Sequence, residues 1–303
     1  MTDRIMLLDT ASLYFRAFYG VPDKVKAADG TSVNAVRGLL DMIAKLVTAY
    51  EPTRLVACWD DDWRPAWRVD LLPSYKAHRV VEAVPAGTDI EEVPDPLEAQ
   101  IPVIRDVLAA LGIPVVGAAE HEADDVIGAL ATAADSPVDI VTGDRDLFQL
   151  IDDARGIRIV YTARGMSNLE IVDDAAVVSK YGVRAAQYAD FAVLRGDPSD
   201  GLPGVAGIGE KSAASLLSAH GSLDDIRAAA AQGTGGTPAQ RAKIAAASDY
   251  LDVAPAVVRV ARDLTFAPFD DRLGDVDIDA AEALAEKWNL GSSMTRVLAA
   301  LAR

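Results

Sequence analysis

The 303-residue sequence predicts an α/β fold with a parallel sheet covered by helices, followed by a helical region. Three observations carry that expectation. In the first part, short apolar runs alternate with amphipathic stretches, the pattern of strands joined by crossover helices. Each of the clearest runs ends in an acid. Beyond about residue 175 the chain turns alanine-rich, with no strand pattern of comparable strength.

The elements follow in order. Ile5 to Leu8 ends at Asp9, and Leu55 to Trp59 ends at Asp60; between them Val33 to Tyr50 is amphipathic, with Asn34 near its start. Residues 80 to 98 hold Pro85, Gly87, Pro94 and Pro96 with Glu82, Asp89, Glu91, Glu92, Asp95 and Glu98, have no clear period, and read as a mobile loop. Pro102 to Leu111 forms a helix that stops at Gly112. Glu122 to Asp125 opens a helix whose apolar face is Val126, Ile127, Leu130 and Ala131. Val138 to Val141 leads into Thr142, Gly143 and Asp144, the glycine permitting a sharp turn. Candidate helices then cover Ala185 to Arg195, Glu210 to His220, Gln240 to Leu251 and Ala280 to Leu290, with Gln232 to Pro238 as a flexible connector.

Half of the residues are hydrophobic, enough for one large core or two smaller ones. The single cysteine, Cys58, excludes an internal disulfide framework and a multi-cysteine zinc site, and it follows an apolar run where a buried thiol is expected. Asp3 and Arg4 interrupt the short apolar start from Met1 to Leu8, which is no signal peptide, and no run of about 18 apolar residues is present to span a membrane. A soluble, cytoplasmic protein is the expectation. A net charge of −17 argues, as a sum, against nucleic acid. Its distribution argues otherwise: Arg64, Arg68, Lys76, His78 and Arg79 face only Asp70 between residues 64 and 79, interleaved with Trp67 and Tyr75 and preceded by Trp63. Such a run is either a solvated face or a local binding patch. Trp63 and Trp67, four apart, fit stacking on exposed bases or a packed helix face equally well.

In open α/β sheets ligands bind beyond the carboxyl ends of the strands, so acids distant in sequence reach one crevice. Asp9, Asp60 and Asp144 hold such positions, and Asp146, Glu122, Asp124, Asp125, Asp197 and Asp200 follow in turns or helix starts. Two carboxylates about 4 Å apart cost roughly 4 kcal/mol at an effective dielectric of about 20, so converging acids need cations to ionise together. A hard, oxygen-ligated ion such as Mg²⁺ or Mn²⁺ fits. Taken singly, each acid has a plainer explanation, because carboxylates favour helix N-termini and Asp is a common cap. Glu122 and Asp125 share one helix face while Asp124 is splayed from it. A second acid-bearing turn, Gly196 to Gly204, leads into Val205-Ala206-Gly207-Ile208-Gly209-Glu210-Lys211, a hairpin whose backbone N–H groups and following helix suit a phosphate.

The order Leu8-Asp9, Trp59-Asp60, Tyr75-Lys76-Ala77-His78-Arg79, Glu122-Ala123-Asp124-Asp125, Thr142-Gly143-Asp144-Arg145-Asp146-Leu147 and Gly196 through Lys211 resembles the bacterial flap endonuclease and 5′-3′ exonuclease family. The resemblance runs from about residue 5 to 220 and is shared with the 5′-nuclease domain at the start of bacterial DNA polymerase I; a free-standing nuclease is the expectation. It implies a PIN-like nuclease domain over residues 1–175 with a helical arch at about 61–98. It further implies a helical region over 176–303 containing a helix-three-turn-helix DNA-binding module at about 185–222. Asp9, Asp60, Glu122 and Asp124 would surround one metal position with Asp125 at hand, and Asp144, Asp146, Asp197 and Asp200 a neighbouring one. Lys76 and Arg79 would meet the scissile phosphate near Arg16. Arg64, Arg68, Tyr75, Gly207, Gly209 and Lys211 join the expected DNA contacts, and backbone carbonyls around Val205 and Ile208 would hold K⁺. The segment 80–98 is longer and more acidic than the family pattern, and the stretch after 220 matches no motif.

The expected chemistry is phosphodiester hydrolysis by two or more divalent ions, which activate water and stabilise the leaving oxygen, with Lys76 and Arg79 neutralising developing charge and a 5′-phosphate as product. Substrates would be flapped, gapped or nicked duplex DNA, RNA primers included, cut by a monomer in replication and repair. Two other readings remain open from sequence: a junction-binding protein that does not cut, and a metal-dependent phosphomonoesterase, which has no use for the glycine hairpin or the basic patch.

Overall fold

The computed structural model describes residues 3–84 and 89–302. Pro85 and Gly87 of the expected loop, and the first two residues of the N-terminal run, lie outside them. In chain order the elements begin with β1 (Ile5–Asp9), α1 (Thr10–Gly20), α2 (Asn34–Tyr50) and β2 (Arg54–Cys58). Next come α3 (Ala66–Leu71), β3 (Val80–Glu82), β4 (Ile90–Glu91), α4 (Asp95–Glu98), α5 (Ile101–Ala110), β5 (Val115–Val116) and α6 (Ala123–Ala133). After β6 (Val138–Thr142), β7 (Ile157–Tyr161) and β8 (Glu170–Val172) the chain is helical: α7 (Asp174–Tyr181), α8 (Tyr188–Arg195), α9 (Glu210–His220), α10 (Leu223–Ala231), α11 (Pro238–Ala246), α12 (Ser248–Val258), α13 (Ile278–Lys287) and α14 (Gly291–Leu301).

Six strands form one sheet in the order β5-β2-β1-β6-β7-β8, parallel throughout except for the antiparallel pair β7 and β8. Period-2 alternation sends the strand side chains into two cores, one on each face. Ile5 and Leu7 join Val56, Ile140, Val126, Phe148 and Tyr188 on the face that carries α6 and α8. Met6 and Leu8 join Leu39, Leu55, Ile104 and Met294 on the face covered by α2, α5 and α14. Strands buried on both faces explain the unbroken apolar runs of the sequence. Cys58, the last residue of β2, is fully buried, and burial pushes its thiol pKa up.

Three segments depart from expectation. Residues 80–98 are not structureless, because β3 and β4 pair antiparallel into a two-stranded ribbon before α4. Among the described residues the arch is therefore helical in α3, in a 3-10 turn at Ala77–Arg79 and in the single turn of α4. The single helix expected over Gln240 to Leu251 is two, α11 and α12, broken at Ala247 where ψ is 14°. Finally, α14 returns to the first part of the chain and packs on α2, with Arg296 on α14 bridging to Asp41 on α2 at 2.7 Å. No helix among the described residues is long and apolar enough to cross a membrane.

Because Met294 is only 2% exposed in the α2 core, Met294→Ala should lower unfolding stability by about 2–5 kcal/mol, read by urea denaturation.

Candidate metal and phosphate centre

The sheet grows from β1 toward β2 and β5 on one side, then resumes with β6 on the other side of β1. That reversal is where α/β sheets open a ligand crevice. Asp9 closes β1 and Asp144 follows β6 by two residues, so both acids stand at the crevice. A cavity of about 280 Å³ opens there, lined by Asp9, Asp60, Glu122, Asp124 and Asp144 together with Arg16, Lys76 and Arg79. A larger one, about 840 Å³, lies against Arg54, Phe269 and Leu301, at the start of β2 and the end of α14, and holds none of these residues.

Hydrogen bonds fix the acids at the strand ends. The Thr142 hydroxyl donates to Asp9 Oδ2 at 2.6 Å and accepts from the Asp144 backbone N–H at 2.8 Å, which ties β1 to β6. Asp9 Oδ1 accepts from the Ser12 N–H at 3.1 Å as the cap of α1, and Ser12 Oγ accepts from the Gly143 N–H at 3.1 Å. Asp60 Oδ1 accepts from the Ala123 N–H at 2.8 Å at the start of α6.

Glu122 is held by protein cations and a phenol rather than left open. Its Oε1 accepts from the Tyr75 hydroxyl at 2.7 Å and lies 3.3 Å from Arg68, while Oε2 accepts from Lys76 Nζ at 2.7 Å. Asp125 is fully buried and spends both oxygens on Arg68, at 2.7 and 3.0 Å, with a further bond from the Ala261 N–H at 2.8 Å. It caps α6 and anchors Arg68, so its expected place as a metal ligand is corrected. The same burial corrects three expected DNA contacts. Arg68 is 2% exposed and also donates to the Val257 carbonyl. Arg64 donates to the carbonyls of Tyr75 and Pro73 and pairs with Asp89, and Tyr75 is 4% exposed with its hydroxyl on Glu122. A buried guanidinium is stable only when so paired, and these arginines are structural. Trp63 and Trp67 donate their indole N–H groups to the carbonyls of Asp89 and Glu120; both rings are half-buried, and Trp63 lines the cavity.

Asp146 lies just beyond the cavity lining, with Oδ1 buried and without a hydrogen-bond partner. The charges of Asp144, Asp200 and Asp197 act against its ionisation, and Arg195 acts for it. Asp197 is occupied locally, accepting from the Ser199 N–H at 3.0 Å and from Arg195 at 3.1 Å, whereas Asp200 meets Arg79 at 3.3 Å. The loop that bears them clamps the arch: the Lys76 N–H donates to the Asp200 carbonyl, Ser74 Oγ to the Gly201 carbonyl, and Arg79 to the Ser199 carbonyl. Gly201 is required at this contact. It has φ of +71°, and a Cβ there would lie 2.0 Å from the Ser74 oxygen.

Burial pushes the carboxyl pKa of Asp9 up to about 7, although the bonds from Thr142 and Ser12 pull the other way. Asp60, Asp124, Asp146 and Asp200 are also raised, first by burial; around Asp124 and Asp146 the charge of Asp144 adds to it. Burial works against the Lys76 ammonium, but Glu122, Tyr75 and Asp200 outweigh it and hold the lysine protonated. Among the described residues no three of these acids close on a single point. The donors, all carboxylate oxygens and one of them orphaned, fit a hard divalent ion.

Sequence reasoning missed Thr142, whose signal was a hydroxyl at the last strand position before Gly-Asp, and Glu91, which lines the cavity from β4. At the glycine hairpin, Gly207 has φ of +74° and Gly209 precedes α9, with Lys211 exposed in its first turn. Val205 and Ile208 are buried, and the Ile208 N–H donates to the Val205 carbonyl at 2.8 Å; Lys243 Nζ donates to the Gly207 carbonyl at 2.9 Å.

Acids at the carboxyl edge of a parallel sheet, facing lysine and arginine under a short arch, define a metal-dependent nuclease of the resolvase-like class. The family profile described as 5′-3′ exonuclease, N-terminal resolvase-like domain, matches residues 4–182, and that of the 5′-3′ exonuclease C-terminal SAM fold matches residues 183–281. The chain belongs to the 5′-3′ exonuclease family. It is 60% identical over 299 residues to a 5′-3′ exonuclease of Streptomyces coelicolor, covering 98% of this chain and 99% of that protein. A 5′-3′ exonuclease of Mycobacterium tuberculosis is 48% identical over 313 residues, covering 99% and 98%. DNA polymerase I of Mycobacterium bovis is 42% identical over 226 residues, 73% of this chain and 24% of that protein. Among solved structures, T5 D15 protein co-crystallized with metal ions matches with a TM-score of 0.65 at 18% identity over 98% of this chain and 99% of that one. The catalytic core of Rad2 in complex with DNA substrate matches at 0.62 and 20% identity over 99% and 92%. These two matches show the shared fold.

The raised acids give a pH prediction. A carboxyl whose pKa is higher folded than unfolded keeps its proton in the folded state, so its contribution is fully present below about pH 4 and is lost as pH rises through the folded value. For Asp9 that value is about 7. Metal-free protein should therefore lose thermal stability between about pH 4 and 7, and Mg²⁺ or Mn²⁺, which binds the deprotonated acids, should raise Tm more at pH 8 than at pH 6. A metal-induced shift in Tm that is equal at both pH values would reject the acids as ligands.

Proposed function

We propose that the protein is a 5′ nuclease that hydrolyses DNA phosphodiester bonds at 5′ flaps, gaps or 5′ ends with Mg²⁺ or Mn²⁺, leaving 5′-phosphate products, in replication and repair. The observation that carries this reading is the single cavity in which Asp9, Asp60, Glu122, Asp124 and Asp144 face Arg16, Lys76 and Arg79. The acids alone would suit a metal centre of any phosphatase. The adjoining cations and the glycine hairpin suit a nucleic-acid backbone.

When bound, two or more divalent ions supply a nucleophile at neutral pH and charge stabilisation at the leaving oxygen. Asp9, Asp60, Asp124 and Asp144 would hold them, with Glu122 behind and Asp146 and Asp200 on the far side of Asp144; Asp197 supports that side through Arg195. Lys76, kept protonated by its acidic neighbours, and Arg79 would meet the scissile phosphate and offset charge that develops on it. Arg16, whose Nε is buried without a partner, is placed to turn its terminal nitrogens to the same phosphate. Duplex DNA would rest on the N–H groups of Gly207 and Gly209 and on Lys211, with K⁺ at the carbonyls of Val205 and Ile208. RNA primers belong to the same substrate class, and the protein would act as a monomer.

The test incubates purified protein with labelled 5′-flap, gapped and plain duplex DNA in Mg²⁺, Mn²⁺ or chelator. Release at the flap junction that needs metal supports the reading, whereas a mobility shift without products would assign a junction-binding protein instead. Asp144→Ala or Asp146→Ala should cut cleavage at least about a hundredfold while urea unfolding stays cooperative. Full activity in either variant rejects the site. Lys76→Ala should slow single-turnover cleavage about a hundredfold and duplex binding far less; equal losses in both would deny it a place at the phosphate.

A further inference from the structure

The acidic segment that the family pattern does not account for brings one side chain into the cavity. Glu91, half-buried on β4, lines it opposite the strand-end acids. The ribbon around it is fixed in three places. Asp89 pairs with buried Arg64, the Asp89 carbonyl accepts from the Trp63 indole at 2.7 Å, and the Glu92 N–H donates to the Arg79 carbonyl at 2.9 Å. Glu91 therefore stands between two anchored residues, directly beside the arginine expected to meet phosphate. The charges that act on it most are, in order, Arg79, Lys76, Asp60 and Glu122. Among the described residues its carboxylate has no ion-pair partner within 4.0 Å, while Asp200 holds Arg79 from the other side.

The balance of charge decides what this does. The lining holds six acids, Asp9, Asp60, Glu91, Glu122, Asp124 and Asp144, against three bases, Arg16, Lys76 and Arg79, a formal −3 before any ion enters. A phosphate brings further negative charge to the same place, so every acid that stays ionised beside Lys76 and Arg79 opposes it until divalent cations load. Glu91 differs from the other acids because the arch ribbon carries it, on the side where the strand would approach Lys76 and Arg79.

We propose that Glu91 is a specificity-determining residue that makes engagement of the DNA phosphate conditional on divalent-ion loading, by opposing phosphate beside Arg79 and Lys76 when the ions are absent. This rests on the nuclease reading above. The readout is binding, not turnover: anisotropy of a labelled 5′-flap DNA titrated with wild type, Glu91→Gln, Glu91→Asp and Glu92→Gln in chelator and in Ca²⁺. Glu92 is exposed outside the cavity lining, so its variant controls for net charge. Glu91→Gln should tighten binding in chelator by about tenfold and change it less than about twofold in saturating Ca²⁺. Glu91→Asp and Glu92→Gln should keep the wild-type ratio between the two conditions. An unchanged Kd in chelator for Glu91→Gln, or an equal gain in Glu92→Gln, overturns the proposal. So does a higher Mn²⁺ concentration for half-maximal thermal shift in Glu91→Gln, which would make Glu91 a metal ligand. If wild type neither binds nor cuts flap DNA in any metal, the nuclease reading itself has failed; if it does both and Glu91→Gln behaves like wild type, only this proposal has.

Discussion

Repulsion among carboxylates gathered at one edge of the sheet is the constraint around which the structure is organised. A parallel sheet delivers Asp9, Asp60 and Asp144 to the same end because every parallel strand points the same way. Each close pair of ionised acids costs roughly 4 kcal/mol at an effective dielectric of about 20, which the fold cannot carry several times over. The protein answers with two different neutralisations. Around Glu122 and Asp125 it supplies its own partners, Arg68, Lys76 and Tyr75, in bonds of 2.7–3.3 Å. Around Asp9, Asp124 and Asp146 it supplies hydrogen bonds to some oxygens but no cation among its described ion pairs, and the pKa values rise. The second group is the one the proposed function assigns to metal.

The internal partners also join the helical region to the site. Arg68 reaches from Asp125 to the Val257 carbonyl on α12, and Asp125 accepts from Ala261 just beyond that helix. The Gly196–Gly204 loop meets the arch through the Lys76 N–H, Ser74 and Arg79. A guanidinium buried this deeply would be costly alone, and it is retained where it bonds two acids and a carbonyl at once. The lysine expected to meet phosphate is thus fixed through its backbone by the hairpin's own loop and through its side chain by Glu122. The loop that leads into the hairpin and the backbone of Lys76 are thereby joined.

What the sequence disclosed and what it hid divide along physical lines. Strand-end acids were legible because buried parallel strands leave unbroken apolar runs, and the residue that follows such a run has a fixed place in the fold. The glycine hairpin was legible for a similar reason, since Gly207 adopts a backbone angle that other residues avoid. Side-chain direction was not legible. Arg64, Arg68 and Tyr75 share a basic, aromatic stretch with Lys76 and Arg79, yet the first three turn inward. Asp125 stands one residue from Asp124 and faces Arg68 instead of the cavity. The ribbon of β3 and β4 was missed because strands of three and two residues, next to prolines, carry no usable period. The return of α14 onto α2 is a contact across some 250 residues that no local pattern encodes.

The inward turn of those arginines bears on how a chain of charge −17 holds a polyanion. With Arg64 and Arg68 spent on internal partners, the basic stretch offers the cavity only Lys76 and Arg79, joined by Arg16 from α1. Three cations among six lining acids leave no surplus of positive charge, so the usual basic footprint of a nucleic-acid protein is missing where the chemistry would occur. Attraction must then come from two sources that sequence charge does not count. One is the set of backbone N–H groups at the hairpin and the start of α9, which carry partial positive charge without any basic side chain. The other is the divalent ions, which reverse the sign of the cavity when they load. Acidity of the chain as a whole is in this way compatible with the proposed function, in which the cavity's acids would hold the cations and the phosphate would meet them there.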